Sequence, residues 1–301
     1  MVEEEPAGPA IEPTKSRHIG LGQLGALAEL SPADRLAVVA EGLPVILAST
    51  EELIASSDAI SESHPRASAI IQRQGLEEAA KILILLDYAR CPLGLSDRAQ
   101  ELVRAFYDHG ARALYAEACR WTAYDVEMLR GYVDQSRASH FVEGDYGQWI
   151  IPNWETYKRE AVMYADLSRV DSGALVWSDP RGWPQPTLGT RFAPPALRLV
   201  RALGRLGFYD KRALALFADV WRPHAFTSAE HGSQMAERLM EKTLAGFIHR
   251  GLVTERATDD DVRTAYRSWP LPMYAIDVRE RQVSLDALRA EQAAQLHREM
   301  W

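Results

Sequence analysis

Residues 75–86 read GLEEAAKILILL, and this stretch decides the fold class. Apolar residues follow one another without interruption from Ile82 to Leu86, so a helix formed here is apolar on every face. Such a helix is buried among other elements instead of lying with one side in water. We therefore predict a central helix that ends at Cys91, because Pro92 and Gly94 stop it.

The segments on either side have the spacing of amphipathic helices. Ser31-Pro32-Ala33-Asp34 is typical of a helix start, with a capping serine, a proline in the first turn and an acid at the positive end of the dipole. Further helices are predicted from Ser96 as far as Ser139, and from a capping Asn153 to Val170. Since helices joined by short connections form bundles, we predict an all-α helical bundle over residues 31–171.

Proline and glycine mark the remaining boundaries. Residues 1–30 begin with acidic residues and prolines and are predicted to be a mobile tail. Residues 172–195 form a Pro/Gly-rich connector, a composition that excludes a regular helix. Helical periodicity returns over residues 196–301, which we predict to be a second, helical C-terminal region.

Composition excludes several classes of protein. The chain has 301 residues, of which 47% are hydrophobic, enough to fill a real core. Its net charge of −8 argues against sequence-independent binding along nucleic acid, which requires a basic face. Because no apolar stretch is long enough for a membrane span and the first residues are acidic, we expect a cytoplasmic protein without membrane partners. Cys91 and Cys119 lack metal-ligand spacing, and we expect neither metal nor cofactor.

Two groups of polar residues are candidates for function. Glu77 and Glu78 precede Lys81 by four and three residues, so either acid can pair with it, and a surface ion pair is the simplest interpretation. Arg104 and His109 are five residues apart, a separation that turns a regular helix by about 140°. They therefore share a face only if the helix is distorted, for which the following Gly110 offers the freedom.

The order of these features resembles a known family. It runs through Glu41-Gly42-Leu43, Arg66-Ala67, Glu77-Glu78-Ala79-Ala80-Lys81 and Phe106-Tyr107-Asp108-His109. In this the chain is similar to the abortive-infection protein V (AbiV) family of the HEPN (higher eukaryotes and prokaryotes nucleotide-binding) superfamily, over residues 35–140. Superfamily members are helical bundles, often dimeric, and many are metal-independent ribonucleases with an Arg-x(4–6)-His motif. Arg104 and His109 match that motif, although Ala105 stands where many members have a polar residue.

The resemblance implies an antiphage endoribonuclease that acts as a homodimer on RNA. His109 would remove the proton of a ribose 2′-hydroxyl, and Arg104 would stabilise the charge that develops on the phosphate. Tyr107 and Asp108 would orient His109 or contact RNA. Glu77, Glu78 and Lys81 would be supporting or RNA-binding residues. The C-terminal region would sense a trigger, for which a phage-encoded activator protein is the candidate partner.

Two other classes of function remain open. The bundle can be a catalytically silent interaction module that blocks translation or binds a phage protein by its surface. Alternatively, the run from Leu239 to Glu255 has the rhythm of a helix passing into a winged-helix strand, which predicts DNA binding by residues 190–301. In both cases Arg104 would be a solvated side chain and His109 a structural one.

Overall fold

The computed structural model of the chain describes residues 21–142, 150–151, 153–169, 174–181, 193–228, 232–269 and 271–299. These residues are mostly helical, which agrees with the predicted all-α class. A short 3-10 helix, Leu24–Glu29, precedes the α-helices. The α-helices are α1 Pro32–Ile60, α2 Pro65–Arg90, α3 Ser96–Tyr107, α4 His109–Ala118, α5 Val126–Arg137, α6 Trp154–Met163, α7 Pro195–Arg205, α8 Lys211–Trp221, α9 Ser233–His249, α10 Asp259–Ser268 and α11 Leu285–Glu299.

Helix α2 is the centre of the molecule, as the sequence predicts. Residues 79–80 and 82–86 are at most 3% exposed, and α1, α3, α4, α6, α7 and α8 all pack against α2. Helix α1 begins as predicted, with the Ser31 hydroxyl accepting a hydrogen bond from the backbone N–H of Asp34. Pro44 lies inside α1 without ending it. These two helices form the frame to which the later elements attach.

The helix predicted from Ser96 to Ser139 is wrong in its length. It is divided into α3, α4 and α5, with the first break at Asp108 and the second between Ala118 and Val126. At the first break Asp108 has an extended ψ of 123°, and its carboxylate accepts a hydrogen bond from the N–H of Ala111 at 2.7 Å. The apolar stripe keeps its phase across a single capping residue, so periodicity alone does not reveal the break.

Helix α6 also ends earlier than predicted, at Met163 instead of Val170. Asn153 occupies the N-cap position, but its φ is +56° and its side chain makes no capping hydrogen bond. Two antiparallel strands follow the helix, β3 Asp166–Arg169 and β4 Leu175–Ser178, and they form a hairpin across the predicted domain boundary. A second antiparallel pair, β1 Phe141–Val142 and β2 Ile150–Ile151, lies before α6.

The C-terminal helices share a core with the bundle. Helices α7 and α8 pack on both α1 and α2, and one continuous hydrophobic cluster extends from Leu27 to Ile276. Leu27, in the 3-10 helix, is 4% exposed and belongs to this cluster. Residues 1–20 lie outside the described part, and the mobile tail over residues 1–30 stays a prediction. The division at residues 172–195 stays a prediction about chain organisation, and much of that connector lies outside the described residues.

Two further expectations concern particular segments. Residues 252–254 form no strand, so the winged-helix interpretation loses its main feature; instead the N–H of Thr254 donates to the carbonyl of Arg205. No helix in the described part of the chain has the length and apolar character needed to cross a bilayer.

Candidate active site at the joint of α3 and α4

The joint between α3 and α4 consists of one residue, Asp108. Its N–H donates to the carbonyl of Arg104, which closes α3, and its carboxylate caps α4. His109 is consequently the first residue of α4 instead of a late residue of α3. The distortion considered for Gly110 is therefore present, but Asp108 produces it by helix capping.

The imidazole of His109 is held on one edge only. Its Nδ1 lies 2.5 Å from Oε2 of Glu77 and 2.6 Å from Nη2 of Arg112. Half of the His109 side chain, 49%, remains exposed, whereas the side chain of Glu77 is 3% exposed. No hydrogen bond to Nε2 of His109 comes from any residue that the structure describes. The ring is thus anchored through Nδ1, while half of the side chain remains exposed and Nε2 has no hydrogen bond from the described residues.

Glu77 is the centre of a group of charges from three helices. Arg112 of α4 lies 3.1 Å from its Oε2, and Arg159 of α6 lies 3.4 Å from its Oε1. Arg66 fixes α6 for this contact, because its guanidinium donates to the last carbonyls of α6, those of Val162 and Met163. A buried carboxylate is stable only when it is paired, and the two guanidinium groups supply that pairing.

Glu78 and Lys81 pair with each other, so of the two candidate acids it is Glu78 that meets Lys81. The ammonium group of Lys81 also lies 5.3 Å from the centre of the Phe106 ring, a cation–π contact. Glu78 and Lys81 are 14% and 18% exposed, and among the described residues no hydrogen bond or ion pair joins them to His109. They form a neighbouring pair that stabilises the packing of α2 on α3.

The remaining predicted residues lie around the same joint. Tyr107 is 44% exposed, and its hydroxyl accepts a hydrogen bond from the N–H of Leu24 at 3.0 Å. Arg104 is exposed in the last turn of α3, and its side chain makes no hydrogen bond or ion pair with any described residue. The neighbouring Ala105 is 4% exposed, so packing against the core explains its small side chain. No hydrogen bond joins Arg104 to His109 among the described residues.

Sequence reasoning missed Arg112 and Arg159. Arg112 follows His109 by three residues, and residues with this spacing are neighbours on a helix. The spacing would have indicated the contact if the start of α4 at His109 had been predicted. Arg159 comes from a helix far along the chain, and no local pattern connects it to Glu77. Nε of Arg112 is buried, and no residue in the described ranges offers it a hydrogen bond.

Neither metal-ligand clusters nor known relatives add a further constraint. Within the described ranges, no three His, Cys, Asp or Glu side chains converge as metal ligands would. Comparison of the chain with protein-family models, curated proteins and solved structures gave no match. The geometry around His109 is therefore the observation from which a function can be inferred.

Proposed function

We propose that this chain is an endoribonuclease with a HEPN-like bundle, in which His109 is the general base and Arg104 stabilises the phosphate. The observation that carries the proposal is the one-sided anchoring of His109: Nδ1 is held at 2.5 Å by a buried carboxylate, while the opposite edge of the ring is open. A structural histidine in a core uses both ring nitrogens within the protein. An imidazole that leaves one nitrogen accessible suits proton transfer to or from a bound molecule.

The chemistry balances without further reactants. Nε2 of His109 takes the proton of a ribose 2′-hydroxyl, and the 2′-oxygen attacks the adjacent phosphorus. The bond from phosphorus to the 5′-oxygen breaks and a 2′,3′-cyclic phosphate remains. The 5′-oxygen takes up a proton from solvent, and His109 returns to solvent the proton that it took from the 2′-hydroxyl, so the enzyme is unchanged. Arg104 contributes a guanidinium that stays charged and whose planar donors match phosphate oxygens. Its exposure at the end of α3 leaves it available for such a contact.

The test compares purified full-length variants on RNA in the presence of a chelator. We expect wild-type protein to produce 2′,3′-cyclic phosphate ends. His109→Ala should cleave at least about 100-fold more slowly, the usual effect of losing a general base. His249→Ala and Arg250→Ala are matched controls, because both residues are exposed at the end of α9. Equal cleavage by wild type and His109→Ala would show that the assignment is wrong.

A homodimer is part of the proposal. Within the described residues of one chain no hydrogen bond joins Arg104 to His109, and a two-fold arrangement can supply the arginine of one copy to the histidine of the other. Light scattering at micromolar concentration should give twice the monomer mass. A strictly monomeric protein that cleaves RNA would contradict the shared site while leaving His109 as the base.

We further propose an antiphage role in the cytoplasm, with a phage-encoded protein as activator. Sequencing of RNA ends from infected cells that express wild type or His109→Ala would identify the substrate. Ends found only with wild type and only during infection support both parts. Ends that appear equally without infection contradict the activator.

The hairpin β3–β4 favours a second candidate function, that of a silent interaction module. Leu167 and Trp177 face each other across the hairpin and are 46% and 75% exposed, with Leu175 and Val176 exposed beside them. Clusters of exposed apolar side chains are typical of protein-binding surfaces. If protection against phage survives the double change Arg104→Ala/His109→Ala but is lost in Trp177→Ser, the interaction module is correct and the nuclease is not.

A further inference from the structure

We infer that Glu77 is a positioning residue that fixes the tautomer of His109, so that the ring carries its permanent proton on Nδ1 and exchanges protons only through Nε2. The inference depends on the proposed function for its catalytic consequence, but the tautomer itself can be measured without RNA. It assigns to Glu77 a role other than RNA contact, since a side chain 3% exposed is not available to a polymer.

Two neighbours compete for one atom of the His109 ring, Nδ1. Nδ1 of His109 lies 2.5 Å from Oε2 of Glu77 and 2.6 Å from Nη2 of Arg112. A ring nitrogen either donates or accepts, and it does not do both. If Nδ1 carries the proton, it donates to the carboxylate. If it does not, it accepts from Arg112 and presents its lone pair to the carboxylate oxygen at close range.

The second arrangement is the less stable one. Two acceptors 2.5 Å apart repel each other, and the carboxylate of Glu77 already faces two guanidinium groups as their acceptor. In the first arrangement Oε2 accepts from Nδ1–H in a charge-assisted hydrogen bond, and Arg112 keeps its ion pair with the same oxygen at 3.1 Å. Glu77 then bonds to both neighbours. The two donors, Nδ1–H and Nη2 of Arg112, repel each other at 2.6 Å, but the carboxylate that both of them face offsets this repulsion.

The charges around Glu77 maintain this state. Arg112 is 7% exposed and Arg159 is 19% exposed, so both guanidinium groups are largely shielded from solvent next to the carboxylate. The carboxylate–histidine arrangement that results is the one by which hydrolases hold an imidazole in a productive tautomer, with the carboxylate remaining ionised. Here it directs the lone pair of Nε2 outward, toward the exposed side of the ring.

The test is nuclear magnetic resonance of full-length protein labelled with nitrogen-15 histidine. The His109 signals are identified by their absence in His109→Gln, and the two ring nitrogens are distinguished through long-range proton couplings. In wild type at a pH where the ring is neutral, we expect Nδ1 to have the shift of a protonated nitrogen and Nε2 that of an unprotonated one. The reverse pattern in wild type would overturn the inference without any variant.

Variants sharpen the result. Glu77→Gln should move the His109 signals toward the Nε2–H tautomer, because Arg112 then becomes the better partner of Nδ1. Glu78→Gln is the matched control: the residue is adjacent, pairs with Lys81, and should leave the His109 signals in place. If the signals of Glu77→Gln equal those of wild type, Glu77 does not set the tautomer.

Cleavage assays separate this inference from the proposed function. Glu77→Gln should lower kcat about 10- to 100-fold with the KM for RNA little changed, the usual effect of losing a residue that orients a functional histidine. A folded wild type that has the Nδ1–H tautomer but does not cleave RNA would refute the nuclease and leave the tautomer assignment intact. If wild type cleaves RNA but has the Nε2–H tautomer, the tautomer assignment is refuted and the nuclease activity is not.

Discussion

The buried pair Asp87–Arg90 gives the most decisive test of how the two halves of the chain are joined. Asp87 is 1% exposed, and its Oδ1 accepts from Nε of Arg90 at 2.7 Å. Its Oδ2 accepts from the hydroxyl of Tyr115 at 3.0 Å and from the N–H of Met273 at 2.7 Å. One carboxylate on α2 thus bonds to α4 and to the segment after α10.

Asp87→Asn keeps the shape of the side chain but removes its charge and one acceptor. The amide nitrogen must then face either Arg90 or the two donors on the other side, Tyr115 and Met273. Breaking a buried ion pair from one side costs about 3–5 kcal/mol. Because a domain is stable by only about 5–15 kcal/mol, we expect Asp87→Asn to lose at least about 3 kcal/mol of its free energy of unfolding.

The assay is urea denaturation followed by circular dichroism, with Asp286→Asn as control because that carboxylate is 97% exposed on α11. The control should change the free energy of unfolding by less than about 0.5 kcal/mol. Arg90→Met in the Asp87→Asn background should cost less than in wild type, since the ion pair between the two residues is already lost. If Asp87→Asn is as stable as the control, or if the two changes are additive, the argument from this network is refuted.

Two further predictions concern the C-terminal helices. Burial alone would raise the pKa of Asp261, but hydrogen bonds from Arg205 and from the cap of α10 outweigh it and hold that pKa below its ordinary value. The stability that the Arg205–Asp261 pair contributes is therefore complete above about pH 4 and is lost as the pH falls through the lowered pKa. Since Arg205→Met lacks this pair, its Tm should fall less than that of wild type when the pH is lowered. Gly207 has a φ of +98°, and a Cβ there would lie 2.3 Å from the carbonyl oxygen of Leu252, so Gly207→Ala should lose at least about 2 kcal/mol in urea denaturation. Gly131→Ala, in open space on α5, should instead gain about 0.5–1 kcal/mol, and equal effects of the two changes would contradict this reasoning.

The frame of the fold was predictable because it depends on local signals. The cap at Ser31 and the apolar run from Ile82 to Leu86 identify α1 and the central α2, and both are confirmed. The break at Asp108 was not predicted, since one capping residue does not disturb an apolar stripe whose phase continues beyond it. The hairpin after α6 was also missed, because its exposed apolar residues resemble the last turn of a helix.

The site was predictable only in part, for a geometric reason. The sequence placed Glu77 and Glu78 at the entrance to a buried segment, but it offered Lys81 as partner to both. In the structure neighbouring residues point about 100° apart, so Glu78 pairs with Lys81 while Glu77 turns inward toward His109. Which of the two acids turns inward depends on α4 and α6, which follow later in the chain and pack against α2. Because the buried part of α2 is apolar on all faces, its sequence does not show which face these helices contact.

The distribution of exposure within the Glu77 group distinguishes a site from a structural ion-pair cluster. A cluster that serves only to join α2, α4 and α6 would bury all of its members. Asp87 and Arg90 are an example, since they are only 1% and 2% exposed. Around Glu77 the carboxylate and Arg112 are buried, whereas His109 is half exposed. Anchoring an imidazole so firmly on one edge while leaving the other open adds little to stability, and it is the arrangement that a proton-transfer group requires. If His109→Gln lowers the free energy of unfolding as much as Asp87→Asn does, this distinction fails and the histidine belongs to the framework.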